Sequence, residues 1–214
     1  MWKCAADGRP LWYNVDDVHD GGNDMDKLIL ASNSPRRRQL LEMLGLDFEV
    51  VLGDVEETID PTMDPAEVVT DLAMKKALDV FRSHRDRVVL GFDTMVYVDG
   101  EPLGKPVSAD DAKRMLRLLA GRTHTVVTGC AIITKRISTS FCERAEVVFH
   151  PLTDAEIDGY VASGEPFDKA GAYAVQGLGA KFVRGIEGDY FTVMGLPVAR
   201  LYHELKALGL WPLA

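Results

Sequence analysis

The stretch Val88-Val89-Leu90-Gly91-Phe92-Asp93-Thr94-Met95-Val96 constrains this chain more than any other. It runs on to residue 98 with little alternation of apolar and polar side chains, the pattern of a central strand covered on both faces. Asp93 is the exception inside it. An ionised carboxylate in a buried strand is costly unless a cation or several donors meet it. A divalent metal is the simplest partner, and an arginine pair or a helix cap is the plainer alternative. Thr94, beside it, offers a hydroxyl or simply the β-branched shape that strands favour.

Around this strand, strand and helix signals alternate. A short apolar run over 28–32 is followed by Ser34-Pro35, an apolar period at Leu40, Leu41 and Leu44, and Gly45, reading as strand, helix cap, helix and stop. A second strand is expected over 48–55. Asp64, with Pro65 and Glu67, caps a longer helix through about residue 81. Ser108, with Asp110 and Asp111 behind it, opens a helix through 119 that Gly121 ends. Strands follow over 125–134 and 141–150, and the Thr153/Glu156 capping box starts a helix reaching about 163. The glycine-rich stretch 164–188 reads as a functional loop, and a last helix over 196–208 covers the sheet.

A length of 214 residues suits one domain, in one body or two lobes. Residues 1–26 are acid-rich without a hydrophobic period and form an N-terminal extension; 27–214 form the domain. The net charge of −9 argues against a broad nucleic-acid surface, which needs a basic face. No apolar run approaches the roughly 18 residues of a membrane span. The three cysteines, Cys4, Cys130 and Cys142, lack metal or redox spacing and read as free thiols of a cytoplasmic protein. The five histidines are too scattered for a zinc site.

Several cationic residues fall where an anion would offset them. Arg36, Arg37 and Arg38 occupy the first turn of a helix, where the dipole disfavours cations unless a phosphate joins them. Ser32 adds a hydroxyl at the strand end. Lys105 stands between Gly104 and Pro106, a fixed point charge suited to a phosphate oxygen. Lys75-Lys76 and Glu56-Glu57 matter only if the fold brings them to Arg36 and Asp93, and on an extended strand only one of Glu56 and Glu57 enters a site. Gln176, in the glycine-rich stretch, carries the amide donor and acceptor that suit a nucleobase edge.

Taken together, Leu30-Ala31-Ser32-Asn33-Ser34-Pro35-Arg36-Arg37, Gly91-Phe92-Asp93-Thr94, Gly104-Lys105-Pro106 and Asp168-Lys169-Ala170-Gly171-Ala172-Tyr173 resemble, in order and spacing, the motifs of the Maf-like proteins. The resemblance covers about residues 27–209. It implies an elongated α/β fold like that of inosine triphosphate pyrophosphatases, with a mixed sheet flanked by helices and a central cleft between two lobes. It also implies metal-dependent hydrolysis of a nucleoside triphosphate to monophosphate and pyrophosphate, with magnesium or manganese as the cation.

Carried over by motif, Ser32, Arg36, Lys76 and Lys105 would bind phosphates, Glu57 would help hold the metal, and Asp93 would accept a proton or hold the metal. Arg36, Thr94 and Gln176 match positions tied to substrate choice. Asp168-Lys169-Ala170-Gly171 followed by Gln176 is similar to the branch acting on dTTP and UTP rather than on 7-methyl-GTP. Phe92, where a small residue is usual, is expected to crowd the cleft or shift base preference. A homodimer is the family-based expectation. The rival reading is a non-catalytic nucleotide-binding regulator of cell division and septum formation; a second is the cleanup of modified pyrimidine nucleotides.

Overall fold

In the computed structural model, which describes residues 28–56 and 63–211, the chain forms β1 (Leu28–Ala31), α1 (Pro35–Met43), β2 (Glu49–Val50), α2 (Pro65–Phe81), β3 (Val88–Val98), β4 (Glu101–Leu103) and α3 (Ala109–Leu119). There follow β5 (Thr123–Ile133), β6 (Ser138–Phe149), α4 (Asp154–Ala162), β7 (Val183–Gly188), α5 (Tyr190–Met194) and α6 (Val198–Ala207). Short 3-10 turns at Glu165–Asp168, Ala170–Ala172 and Leu178–Phe182 join α4 to β7. The extension expected over 1–26 and the candidate ligand Glu57 lie outside the described residues.

The strands make one mixed, seven-stranded sheet in the order β2-β1-β3-β5-β6-β7, with β4 beside β3. β1 runs parallel to β2 and β3; the other pairings are antiparallel. Along one edge β3 changes partners. β1 accompanies it only as far as the Ala31–Gly91 pair, and β4 joins it from Val96–Leu103 onward. Between them, among the described residues, positions 92–95 have no strand neighbour on that edge, while β5 pairs with β3 without a break on the other. A cleft opens at this gap.

The period-2 geometry of β3 explains how both of its faces are filled. Val89, Met95 and Tyr97 face α2, whose Val68, Val69, Leu72, Ala73, Ala77 and Val80 are buried along its whole length. Gly91 is the point of closest approach: a Cβ there would lie 2.2 Å from the Ala73 carbonyl oxygen. On the opposite face Leu90 and Phe92 pack with Leu40 and Leu41 of α1 and Leu201 and Leu205 of α6. Val96 and Val98 pack instead with Met115, Leu116 and Leu119 of α3 and Tyr160 of α4. Thr94 falls at the seam between these two cores. One helix therefore spans one face while two separate groups cover the other, and the seam between the groups leads into the cleft.

The helices begin where the caps predict. The Asp64/Glu67 and Thr153/Glu156 boxes are both formed, and the Ser108 side chain accepts from Asp111 N. The second strand is shorter than expected, Glu49–Val50 rather than 48–55. After Val51 N donates to Leu30 O, the chain leaves the sheet and crosses α2, where Asp54 N donates to Asp79 Oδ2. The edge strands β4 and β7 and the short α5 escape the sequence reading, because Pro102 and the glycines at 185 and 188 interrupt the patterns that identify a strand. No helix among the described residues is long and apolar enough to cross a membrane.

Candidate active site

The cleft encloses a cavity of about 720 Å³. β1 delivers the chain to it at Ser32, and α1 starts at its wall. Ser34 occupies the N-cap position, but its side chain makes no capping bond and its amide instead donates to Ser32 Oγ at 3.3 Å. The first turn of α1 therefore has no side-chain cap, the condition in which a helix start receives an anion.

The arginine triplet divides as helical spacing requires. Arg36 reaches across the cleft to within 3.5 Å of Asp168 Oδ2. Arg37 forks into the protein: Nε donates to Gly195 O at 2.9 Å, Nη1 to Ser32 Oγ at 2.9 Å and Nη2 to Thr94 Oγ1 at 3.0 Å. Its guanidinium also stands 5.7 Å from the centre of the Phe92 ring. Arg38 donates sideways to Asn33 Oδ1 and does not line the cavity.

Asp93 and Thr94, adjacent in β3, open on opposite faces. Asp93, 6% exposed, takes the ammonium of Lys76 at 2.6 Å. The charged partner that the buried strand demands is thus, in this structure, a lysine from the middle of α2. On the other face the Thr128 hydroxyl donates to Thr192 O at 2.8 Å. Its single proton is then committed, so Thr94 donates to Thr128 Oγ1, 3.0 Å away, and accepts from Arg37. The Thr94 hydroxyl has a fixed sense before any ligand arrives.

The opposite wall comes from the turn after β4 and from the 3-10 segment. Lys105 is exposed there, and its turn is tied to that segment by Gly171 N donating to Gly104 O at 3.1 Å. Lys169 lines the same wall, its ammonium shared between Glu165 O and Asp168 Oδ1. The Asp168 carboxyl is held below its ordinary range: burial alone would raise it, but Lys169 and Arg36 outweigh that. Gln176 is exposed at the cavity edge.

Ser32, Arg36, Arg37, Lys76, Asp93, Thr94, Lys105 and Gln176 all line this one space. Lys75 does not; it pairs with Asp71 on the outer surface of α2. Glu56 is exposed and also lies off the cavity. The expectation that Phe92 crowds the cleft is corrected: it is fully buried in the core against α1 and α6, which cover its face of β3 up to the seam where Thr94 reaches the cavity. Sequence reasoning gave no charge role to Lys169 and passed over the 193–195 segment, whose one legible signal was Asp189 capping α5.

Among the described residues, the cavity lining holds five basic side chains, Arg36, Arg37, Lys76, Lys105 and Lys169, against two carboxylates, Asp93 and Asp168. In a chain of net charge −9 this is a localised cationic funnel built for an anion. No group of three or more His, Cys, Asp or Glu side chains suited to a metal ion occurs among the described residues. Magnesium, however, is commonly held by one or two carboxylates together with substrate phosphates and water. Asp93 in a cationic cavity that can receive phosphates fits that donor set.

A family model described as "Maf-like protein" matches residues 27–208. A Bacillus cereus protein named dTTP/UTP pyrophosphatase is 54% identical over 182 residues, covering 85% of this chain and 95% of its own length. A Bacillus mycoides protein of the same name is likewise 54% identical over the same shares. Among solved structures, the Staphylococcus aureus Ham1 protein superposes with a TM-score of 0.42 at 18% identity over 57% of this chain and 71% of that one.

Proposed function

Since this chain belongs to the Maf-like protein family, we propose that it hydrolyses dTTP and UTP to the nucleoside monophosphate and pyrophosphate. The observation that carries this reading is the meeting of Asp93 with five basic side chains in one cavity. The relatives named dTTP/UTP pyrophosphatase supply the substrate class.

Water attacks the α-phosphorus, the bond to the bridging oxygen breaks, and pyrophosphate leaves. Ser32, Arg36 and the uncapped start of α1 hold phosphate oxygens from one wall, Lys105 from the other, and Lys76 from below. Asp93 accepts the proton released by the water. The cations stabilise charge that grows on the phosphoryl and leaving-group oxygens, and their fixed placement is what favours the transition state. Arg37 acts through Ser32 and Thr94, which it orients. When bound, magnesium or manganese would be held by Asp93, with Glu57 as a second ligand, and would supply charge neutralisation on the triphosphate. Gln176 reads the pyrimidine edge. The catalytic unit is residues 27–214, acting on dissolved nucleotides of the cytoplasm.

The test is pyrophosphate release from a panel of canonical and modified nucleoside triphosphates with magnesium or manganese, run beside Asp93→Asn. Release from dTTP and UTP, lost by a factor of about a hundred or more in the variant, is expected. Full turnover by Asp93→Asn would remove it as the proton acceptor, and no release from any nucleotide would favour the non-catalytic regulator.

A further inference from the structure

We propose that Tyr160 and Glu165, which do not touch the cleft, are positioning residues for base selection: they clamp the bend that carries Gln176. The proposal rests on the reading of Gln176 as the residue that meets the base. Neither clamp residue lines the cavity, and both sit behind its wall. Tyr160 is a buried residue of α4, 2% exposed, and Glu165 opens the first 3-10 turn after it.

Their side chains fix the bend on both sides of Gln176. Upstream, Ala174 N donates to the Tyr160 hydroxyl oxygen at 3.1 Å. Downstream, Leu178 N donates to Glu165 Oε2 at 2.9 Å and Gly179 N to Oε1 at 3.1 Å. The Tyr160 hydroxyl in turn donates to Glu165 Oε1 at 2.8 Å, so the two anchors are one unit. Gln176 lies two residues from the upstream anchor and two from the first downstream anchor.

The Glu165 carboxylate spends its acceptor capacity on a loop, and burial, which would raise its pKa, is outweighed by the Leu178 amide, the Tyr160 hydroxyl and the Gly179 amide. The fit is close on the remaining side as well. A Cβ on Gly177, the residue after Gln176, would lie 2.4 Å from Glu165 Oε2, so the bend seats directly on the carboxylate. A free glycine-bearing bend would spread the Gln176 amide over many positions, and a hydrogen bond that must first order its donor discriminates poorly.

Steady-state pyrophosphate release with UTP and with CTP, which share sugar and phosphates but differ at the base edge, separates base selection from phosphate chemistry. Four variants are compared: Gln176→Ala as reference, then Glu165→Gln, Tyr160→Phe and Gly177→Ala, each checked by thermal unfolding and assayed well below its midpoint. Gln176→Ala is expected to lower the UTP-to-CTP ratio of kcat/KM about tenfold, the scale of one hydrogen bond to a base edge. The three clamp variants should move the ratio the same way, through a raised KM for UTP with kcat held within about twofold. Gly177→Ala disturbs the clamp from the other side and serves if Glu165→Gln does not fold. A ratio unmoved by Tyr160→Phe and Gly177→Ala, while Gln176→Ala moves it, overturns the clamp and leaves the base reading intact. A ratio unmoved by Gln176→Ala overturns the base reading and the clamp with it.

Discussion

Replacing Arg37 by lysine tests how the cleft is held together at its seam. The guanidinium joins three parts of the fold, bonding Ser32 after β1, Thr94 in β3 and Gly195 between α5 and α6, at 2.9, 3.0 and 2.9 Å. A lysine ammonium is a compact charge on a flexible stem and cannot serve three acceptors arranged for a planar fork. Two of the three bonds are lost, each worth roughly 1.5–3 kcal/mol when the donor is charged, and the cavity admits water that recovers part of this. The expected loss is therefore about 2–4 kcal/mol, or about 5–12 °C in Tm for a domain of this size. Differential scanning calorimetry of Arg37→Lys beside Arg38→Lys gives the comparison. Arg38 makes one exposed bond of 3.3 Å to Asn33, so its lysine variant should stay within about 0.5 kcal/mol of the parent. Equal midpoints for the two variants would refute the claim that the Arg37 fork holds the seam.

Two further outcomes concern stability. His124 is 2% exposed, with its Nε2 2.8 Å from the Tyr173 hydroxyl, and burial lowers its pKa to about 4. The unfolded chain takes up this proton near pH 6.5, so stability is intact above that pH and falls by about 3 kcal/mol as the pH drops from 6.5 towards 4. Urea midpoints across this window should show a slope that His124→Gln reduces; an unchanged slope would refute the assignment. Gly91→Ala would place a methyl 2.2 Å from the Ala73 carbonyl oxygen, forcing α2 off the sheet. A loss of about 3 kcal/mol or more is expected in chemical denaturation, and a loss below 1 kcal/mol would mean the helix moves freely.

Local chemistry was legible wherever a few neighbouring residues settle the outcome. The Asp64/Glu67 and Thr153/Glu156 boxes start α2 and α4 as expected because a capping box closes within four residues. Short edge strands were not legible: β4 and β7 take their conformation from the strands they lie against, and Pro102 and two glycines hide them.

The sequence by itself determined that residues 88–98 form a strand covered on both faces and that Asp93 within it needs a charged partner, since burial of a carboxylate is costly wherever it occurs. It also placed a cationic turn at the start of α1. Only the tertiary structure decided which cation meets Asp93, because Lys76 reaches it from a helix packed across the strand rather than along the chain. It likewise decided that Arg36 faces the cleft while Arg37 braces it, and that Phe92 belongs to the core. Alternation tells that Phe92 and Asp93 face opposite ways, but which positions on either face open to a ligand depends on where the covering layers leave a gap, and that gap is set by where β1 ends and β4 begins.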